Sequence, residues 1–405
     1  MKPAHTPFIP GSLIPDQNGV AHEPACEHCH RCDRDWCVEP AALESFTVAV
    51  MAANGVPTPE AEAVARVLVA ADVRGIGSHG VARLGRYVSG IEKGHIRPGV
   101  APVVEEPTPA TAVVDACHGL GQPVSETAMD LAIRKARQNG VGVVTVRHSN
   151  HYGIAGYYAL RAVREGLIGI SMTNAAPLVV PTNGVEMVLG TNPIAFGAPA
   201  RRHPPFLLDM ATSVVPRGKL EVYDRRQEQM PEGWALDEQG YDCRNPGHVL
   251  RNMVARAGGG ILPLGGRGET YSGYKGYGLA LMVDILCGVL SGAAYGPDVD
   301  DVRGPETPGV ERHPDVGHFF LALDVARFMP LEAFEDRLDT AFDRITSSRL
   351  ALDQERIWIH GEKELEMEAC HRRDGIPLGQ NVMDSLALLA AKRGLPPLDV
   401  RPTGR

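Results

Sequence analysis

The stretch from residue 111 to 173 constrains the fold most, because short β-branched runs alternate there with helical patterns. Ala112-Val113-Val114-Asp115 reads as a strand. A helix opened by Ser125-Glu126-Thr127 comes next and stops near Asn139-Gly140. Val141 to Val146 is a second, β-branched strand. A helix from Gly156 to Glu165 and a strand from Ile168 to Thr173 complete the run. Runs this short and this apolar suit strands buried between layers, and their alternation with amphipathic helices argues an α/β core. Gly140 is a natural stop, since glycine accepts the left-handed backbone at a helix end.

On the N-terminal side the periodicity is helical. Leu43, Phe46, Val48 and Met51 fall at helix spacing, and Thr58-Pro59-Glu60 opens a second helix running through Ala61, Val64, Val67, Leu68 and Ala71. That helix halts at Gly75-Ile76-Gly77, and Ser78 to Gly94 is expected to be helical again. Residues 185–265, rich in Gly and Pro, suit short strands of an antiparallel or mixed sheet. Tyr277 to Leu290 is the most apolar helix and is expected to be buried. A strand at Phe319 to Leu323 and helices at Pro330–Ser347 and Gln380–Arg393 close the chain. The fold class is therefore α/β with a mixed sheet and helical N- and C-terminal parts.

Charge and composition exclude several functions. A net charge of -9 leaves no basic footprint for nucleic acid. Among apolar stretches, Tyr277–Tyr295 is the longest, and Asp284 interrupts it, so no membrane span is expected. Nothing at the N-terminus looks like a secretory signal, so a cytoplasmic location with mainly reduced cysteines is expected. Residues 1–37 stand apart: they lack hydrophobic periodicity and carry Cys26, Cys29, Cys32 and Cys37. That spacing suits zinc or an iron–sulfur cluster. The alternative is an extension without structure of its own.

Four motifs can carry chemistry. In Arg74-Gly75-Ile76-Gly77-Ser78-His79-Gly80-Val81-Ala82-Arg83, a helical continuation would align His79, Arg83 and Tyr87 on one face. An imidazole exchanges protons near neutral pH and a guanidinium matches a carboxylate, the pair that reduction of an anionic 2-oxo acid requires. A solvated helix face is the plainer reading. Arg147-His148-Ser149-Asn150-His151-Tyr152-Gly153-Ile154-Ala155 comes directly after a buried strand, where α/β sheets place ligands, and the amides of Gly153 to Gly156 would face an anion such as a pyrophosphate. A capped turn with a satisfied histidine is equally open. Thr173-Asn174, Gly190-Thr191-Asn192-Pro193 and Leu208-Asp209-Met210-Ala211-Thr212-Ser213 set small polar groups beside short strands. Asp209 can accept ribose hydroxyls or simply cap a turn. Finally, Lys275 in Ser272-Gly273-Tyr274-Lys275-Gly276-Tyr277-Gly278 combines a point charge with a helix start, as a phosphate site does. No Rossmann fingerprint is present: Gly119-Leu120-Gly121-Gln122-Pro123-Val124 lacks the third glycine.

Taken in this order, from about Val38 to Pro397, the motifs resemble the type-2 malate/L-lactate dehydrogenases, a family that also includes ureidoglycolate and sulfolactate dehydrogenases and cyclic-imine reductases. The resemblance implies a nicotinamide-binding α/β fold that is not the Rossmann one, NAD or NADP as cofactor, a small 2-hydroxy or 2-oxo acid as substrate, and a homodimer. It divides the chain into the extension 1–37, a helical substrate and dimerisation lobe from 38–110 and 320–405, and a cofactor domain over 111–319. It makes His79 the acid/base with Ser78 as support, and sets Arg83 and Thr191 on the substrate, beside Tyr87. His151, Tyr152, Gly153, Ile154, Ala155, Asn174, Asp209, Met210, Ala211 and Lys275 would hold the cofactor. His151 is the second candidate for proton transfer. Lys219 stands where the imine reductases carry an Asp, which favours an acid substrate and makes Lys219 a candidate to polarise the keto oxygen. Two readings of other classes compete: a metal-dependent hydrolase, for which H-E-x-x-H spacing is missing, and a metal-binding regulator built on the N-terminal cysteines.

Overall fold

The computed structural model describes residues 36–300 and 313–402. Strand β1 (Trp36–Val38) leads into helices α1 (Pro40–Ala53), α2 (Thr58–Val73) and α3 (Leu84–Glu92). Strands β2 (Val103–Glu105) and β3 (Thr111–Asp115), helix α4 (Gly121–Asn139), strand β4 (Val141–Ser149), helix α5 (Ala155–Arg164) and strand β5 (Ile168–Thr173) form the alternating region. A hairpin of β6 (Ile194–Ala198) and β7 (Phe206–Met210) precedes α6 (Arg217–Arg226), β8 (Ala235–Leu236), α7 (Pro246–Ala255), β9 (Gly260–Ile261) and α8 (Gly273–Asp284). The chain ends with β10 (Val316–Leu323), α9 (Leu331–Thr346), α10 (Glu362–Asp374), β11 (Ile376–Leu378), α11 (Gln380–Lys392) and β12 (Arg401–Pro402).

The main sheet has seven strands in the order β2-β3-β4-β10-β5-β6-β7. Of its pairings only β3–β4 is parallel. The fold is therefore a mixed α/β one. Alternation along β10 sends Phe320 and Ala322 to a core under α4 and α5, and Phe319 to the opposite face with Met172, Val283 and Cys287. A second core joins α1, α2 and α3 to β11 and α11. A third gathers Val179, Leu220, Val249, Ile261 and Ala280 around α6, α7 and α8.

Some expectations shift. The sheet runs on to Leu323, past the boundary drawn at residue 319, because β10 pairs centrally with β4 and β5. Helix α9 packs Phe342 against Phe206 at the sheet's far edge rather than on the helical lobe. Tyr277–Leu290 is helical, but not buried all round. It passes into a π-helical turn at Ile285–Val289, and Leu281, Ile285, Val289 and Leu290 are exposed. Cys26, Cys29 and Cys32 lie outside the described residues, whereas Cys37 sits half-buried in β1, opposite Pro377 and Arg401. Among the described residues no group of three or more His, Cys, Asp or Glu is disposed to hold a metal, and no helix is long and apolar enough to cross a membrane.

Candidate active site

The site forms where the second core meets the sheet. Helix α2 ends because Gly75, at φ +76°, turns the chain out of the helix. His371 of α10 meets the last α2 carbonyls, Asp72 O at 3.1 Å and Val73 O at 3.0 Å, and Arg74 pairs with Glu368 at 3.1 Å. The expected helix from Ser78 does not begin there. Residues 78–80 form a turn, Val81–Arg83 a single 3-10 turn, and α3 starts only at Leu84. The buried carboxylate of Asp72 accepts from Val81 N–H at 2.7 Å and fills the place a Cβ on Gly80 would need. That cap holds the loop away from helical geometry and turns His79 and Arg83 to the seam.

On the sheet side, β4 runs through Arg147, His148 and Ser149 rather than ending at Val146. Its pairing with β10 slips between Val316 and His318, and His148 takes φ +48°. A bulge of this kind bends a strand's end and re-aims the residues just beyond it, here His151. Asn150 donates to the carbonyls of His118 (3.1 Å) and Gly119 (2.8 Å), tying this end to the start of α4.

The structure brings five of the expected residues together. The rings of His79 and His151 stack with centroids 5.6 Å apart at 20°. Ser78 Oγ lies 2.9 Å from His79 Nδ1, and Tyr87 Oη lies 2.7 Å from His151 Nδ1. Arg83 Nε donates to Ser78 O at 2.6 Å. Burial, together with the charges of Arg83 and Arg86, lowers His79 to about 4. Burial likewise holds His151 well below its ordinary value, with Arg86, His79, Arg83 and His318 adding to the effect. Both imidazoles are therefore neutral at pH 7. The result is a pair of proton-exchanging rings beside guanidinium charge.

Other expected residues serve differently. Tyr152 is fully buried, stacked on His318 at 4.6 Å, with its hydroxyl 3.1 Å from Ser171 Oγ, so its side chain belongs to the core. Gly153, at φ +90°, packs against Val67, and Ile154 and Ala155 are buried at the start of α5. The Gly156 amide, expected to face an anion, donates instead to Asp209 Oδ2 at 2.7 Å. Asp209, pushed up by burial to about 6, thus caps α5 from within the chain. Met210 and Ala211 are half-buried next to it. Asn174 spends its amide on Ala294 O and Gly317 N, pinning β10. Thr191 is half-buried, with its carbonyl accepting from Thr212 N–H at 2.9 Å. Lys275 is exposed in the first turn of α8. Lys219 is exposed too, its ammonium 5.6 Å from the centre of the Trp234 ring, although neighbouring Gly218 comes close to Ser78. Lys219 therefore takes no part in the histidine cluster.

Sequence reading missed four contributors. Arg86 acts electrostatically on both histidines, and its spacing of three from Arg83 was the available signal. Asp72 lies inside an apolar helical pattern and Gln122 in the turn ahead of Ser125, and both announce themselves only by burial. His318 is fully buried between Thr173 Oγ1 and Ser149 Oγ, each at 2.8 Å, and burial lowers it to about 3. Two surface hollows, one beside Arg217, Glu221 and Arg251 and the other beside Glu186, Glu238 and Arg256, have neither histidine in their walls.

Comparison with known proteins identifies the family. The family model for malate/L-lactate dehydrogenase matches residues 38–387. A malate dehydrogenase of Pyrococcus abyssi is 49% identical over 358 residues, 88% of this chain and 95% of the relative. An L-sulfolactate dehydrogenase of Methanocaldococcus jannaschii is 37% identical over 358 residues, 88% of this chain and 97% of the relative. The solved structure of malate dehydrogenase from Pyrococcus horikoshii OT3 superimposes with a TM-score of 0.81 at 44% identity, covering 90% of this chain and 97% of that one. The chain belongs to the malate/L-lactate dehydrogenase family and is an oxidoreductase.

Proposed function

We propose that the chain interconverts a malate-like 2-hydroxy acid and its 2-oxo acid with NAD or NADP, at the seam where His79 meets His151. The observation that carries this reading is the stack of two neutral imidazoles beside Arg83. In the oxidation direction, with Nδ1 donating to the Ser78 hydroxyl, the bare Nε2 of His79 accepts the substrate's hydroxyl proton. Arg83 offers its fork to the carboxylate, and the Arg86 charge nearby favours a second acid group over a plain monoanion. An arriving anion offsets the cations that depress His79, so its proton affinity rises as the transfer proceeds. His151 contributes a hydrogen bond to the same oxygen. Malate and sulfolactate, named for two of the relatives, both carry that second acid group.

The residues present fit a dinucleotide. Exposed Lys275 opens a 12-residue helix, an arrangement that suits phosphate. The backbone of Gly153 to Ala155, with half-buried Met210 and Ala211, would flank the reacting ring. Bound nicotinamide supplies the hydride acceptor and donor. A non-Rossmann mode of binding is in keeping with a sheet that has one parallel pair and an α4 that opens Gly121-Gln122-Pro123. A reaction drawing on the cell's nicotinamide pool fits a cytoplasmic enzyme. The exposed apolar stripe of Tyr274, Leu281, Ile285 and Val289 is a surface that a second copy would cover, in a homodimer.

The test monitors reduced-nicotinamide absorbance with NAD and with NADP across malate, lactate, sulfolactate and ureidoglycolate. His79→Ala is expected to lower kcat about 10³-fold, the worth of a positioned general base, while cofactor affinity holds. Near-wild-type turnover would remove His79 from the role.

A further inference from the structure

Gln122, the second residue of α4, is fully buried, and neither its amide nitrogen nor its amide oxygen makes an aligned hydrogen bond. Ser125, one turn further, is also fully buried with its hydroxyl unpartnered. Buried amides are nearly always satisfied, so an unmet one beside a reaction centre asks for a role. Gln122 follows Leu120, which shares a core with Tyr87, and Gly121, which packs directly on the Asn150 and His151 carbonyls, so its side chain lies within reach of the Tyr87 hydroxyl. Tyr87 Oη in turn lies 2.7 Å from His151 Nδ1, and the Gly153 N–H points at the same nitrogen from 3.4 Å. An N–H can only donate, so Nδ1 is an acceptor and the proton of neutral His151 sits on Nε2. Tyr87 must then donate to Nδ1, which leaves its oxygen lone pairs free for an incoming N–H.

We propose that Gln122 is a positioning residue for hydride transfer: its amide N–H donates to the Tyr87 oxygen, aims the Tyr87 hydroxyl at His151 Nδ1, and so holds His151 as the Nε2–H tautomer that hydrogen-bonds the substrate oxygen. The inference rests on the reading of His151 as a substrate contact. The Gln122 amide lies within reach of the Tyr87 oxygen without an aligned hydrogen bond, so the proposed bond needs only the side chain to turn.

The test combines Gln122→Met, Tyr87→Phe and the double variant, with kcat and KM for malate. Gln122→Met is expected to lower kcat about tenfold, the worth of one hydrogen bond in the transition state, with KM within about twofold. In the Tyr87→Phe background the same change should cost nothing further, because its effect passes through the hydroxyl. A tenfold loss in both backgrounds, or no loss in either, overturns the proposal. A second readout does not depend on the Gln122 and Tyr87 variants: imidazole ¹⁵N shifts in histidine-labelled wild-type protein, with His151 assigned through a folded His151→Gln protein. A bare Nδ1 with a protonated Nε2 is expected, and a protonated Nδ1 overturns the proposal. If His151→Gln keeps full turnover, the substrate-contact reading fails, while the shifts still report on the tautomer.

Discussion

Replacing Gly121 by alanine pits local preference against tertiary contact at a point that sets the position of His151. Gly121 opens α4, where alanine is favoured over glycine by about 1 kcal/mol. An added Cβ, however, would meet Asn150 O at 2.2 Å and His151 O at 2.7 Å. Both are backbone atoms and cannot rotate away. Ordinary contact begins near 3.4 Å, so the 150–151 backbone must withdraw by about 1.2 Å (3.4 less 2.2). Overpacking of this kind costs roughly 1–3 kcal/mol, which outweighs the helix preference by at most about 2 kcal/mol. The protein should still fold, with a melting temperature lowered by about 5 °C or less. Catalysis should suffer far more, since a displacement of about 1 Å at a reacting group costs on the order of 100-fold. Steady-state turnover of malate, with a melting curve and cofactor titration on the same sample, separates the two effects. A folded Gly121→Ala protein with kcat within about threefold of wild type would refute the argument that this contact places His151.

Stability should fall in mild acid. His79 titrates at about 4 and His318 at about 3 in the folded chain, and His151 is also lowered, whereas all three would take a proton near 6.5 when unfolded. Below about pH 6.5 the unfolded chain therefore binds more protons, and each histidine removes up to about 1.4 kcal/mol per pH unit until its folded value is reached. Asp209, raised to about 6, works in the opposite direction between about 6 and 4 and offsets one of the three. Urea midpoints at pH 7.5, 6.5 and 5.5 should decline below 6.5, and a flat series would contradict the buried, neutral histidines. Self-association should depend on the apolar stripe: Ile285→Glu, at a residue 49% exposed, is expected to give monomers in sedimentation while keeping its fold. An unchanged dimer, or a wild type that is monomeric at micromolar concentration, would discard that surface as the contact.

Local physics made much of the chain legible. β5 falls at Ile168–Thr173 as expected, and α11 ends one residue short of Arg393, because period and end signals are written in neighbouring residues. Gly140, at φ +89°, ends α4 for the same local reason. Helices α6, α7 and α10 were not legible. α6 and α10 are charged along much of their length with little apolar stripe, and α7 opens on Asn245-Pro246-Gly247, which reads as a turn.

Sequence by itself determined the alternation of strand and helix over residues 111–173, and which side chains could do acid–base and anion chemistry. Tertiary structure alone decided that β10 enters between β4 and β5, that Asp72 stops the His79 loop from becoming a helix, and that one apolar face of α8 lies on the surface of the chain. It also decided that His79 and His151, from separate motifs, stack 5.6 Å apart. The reason is range: propensity and capping act within a turn or two, whereas burial, charge depression and ring stacking depend on which distant surface arrives opposite.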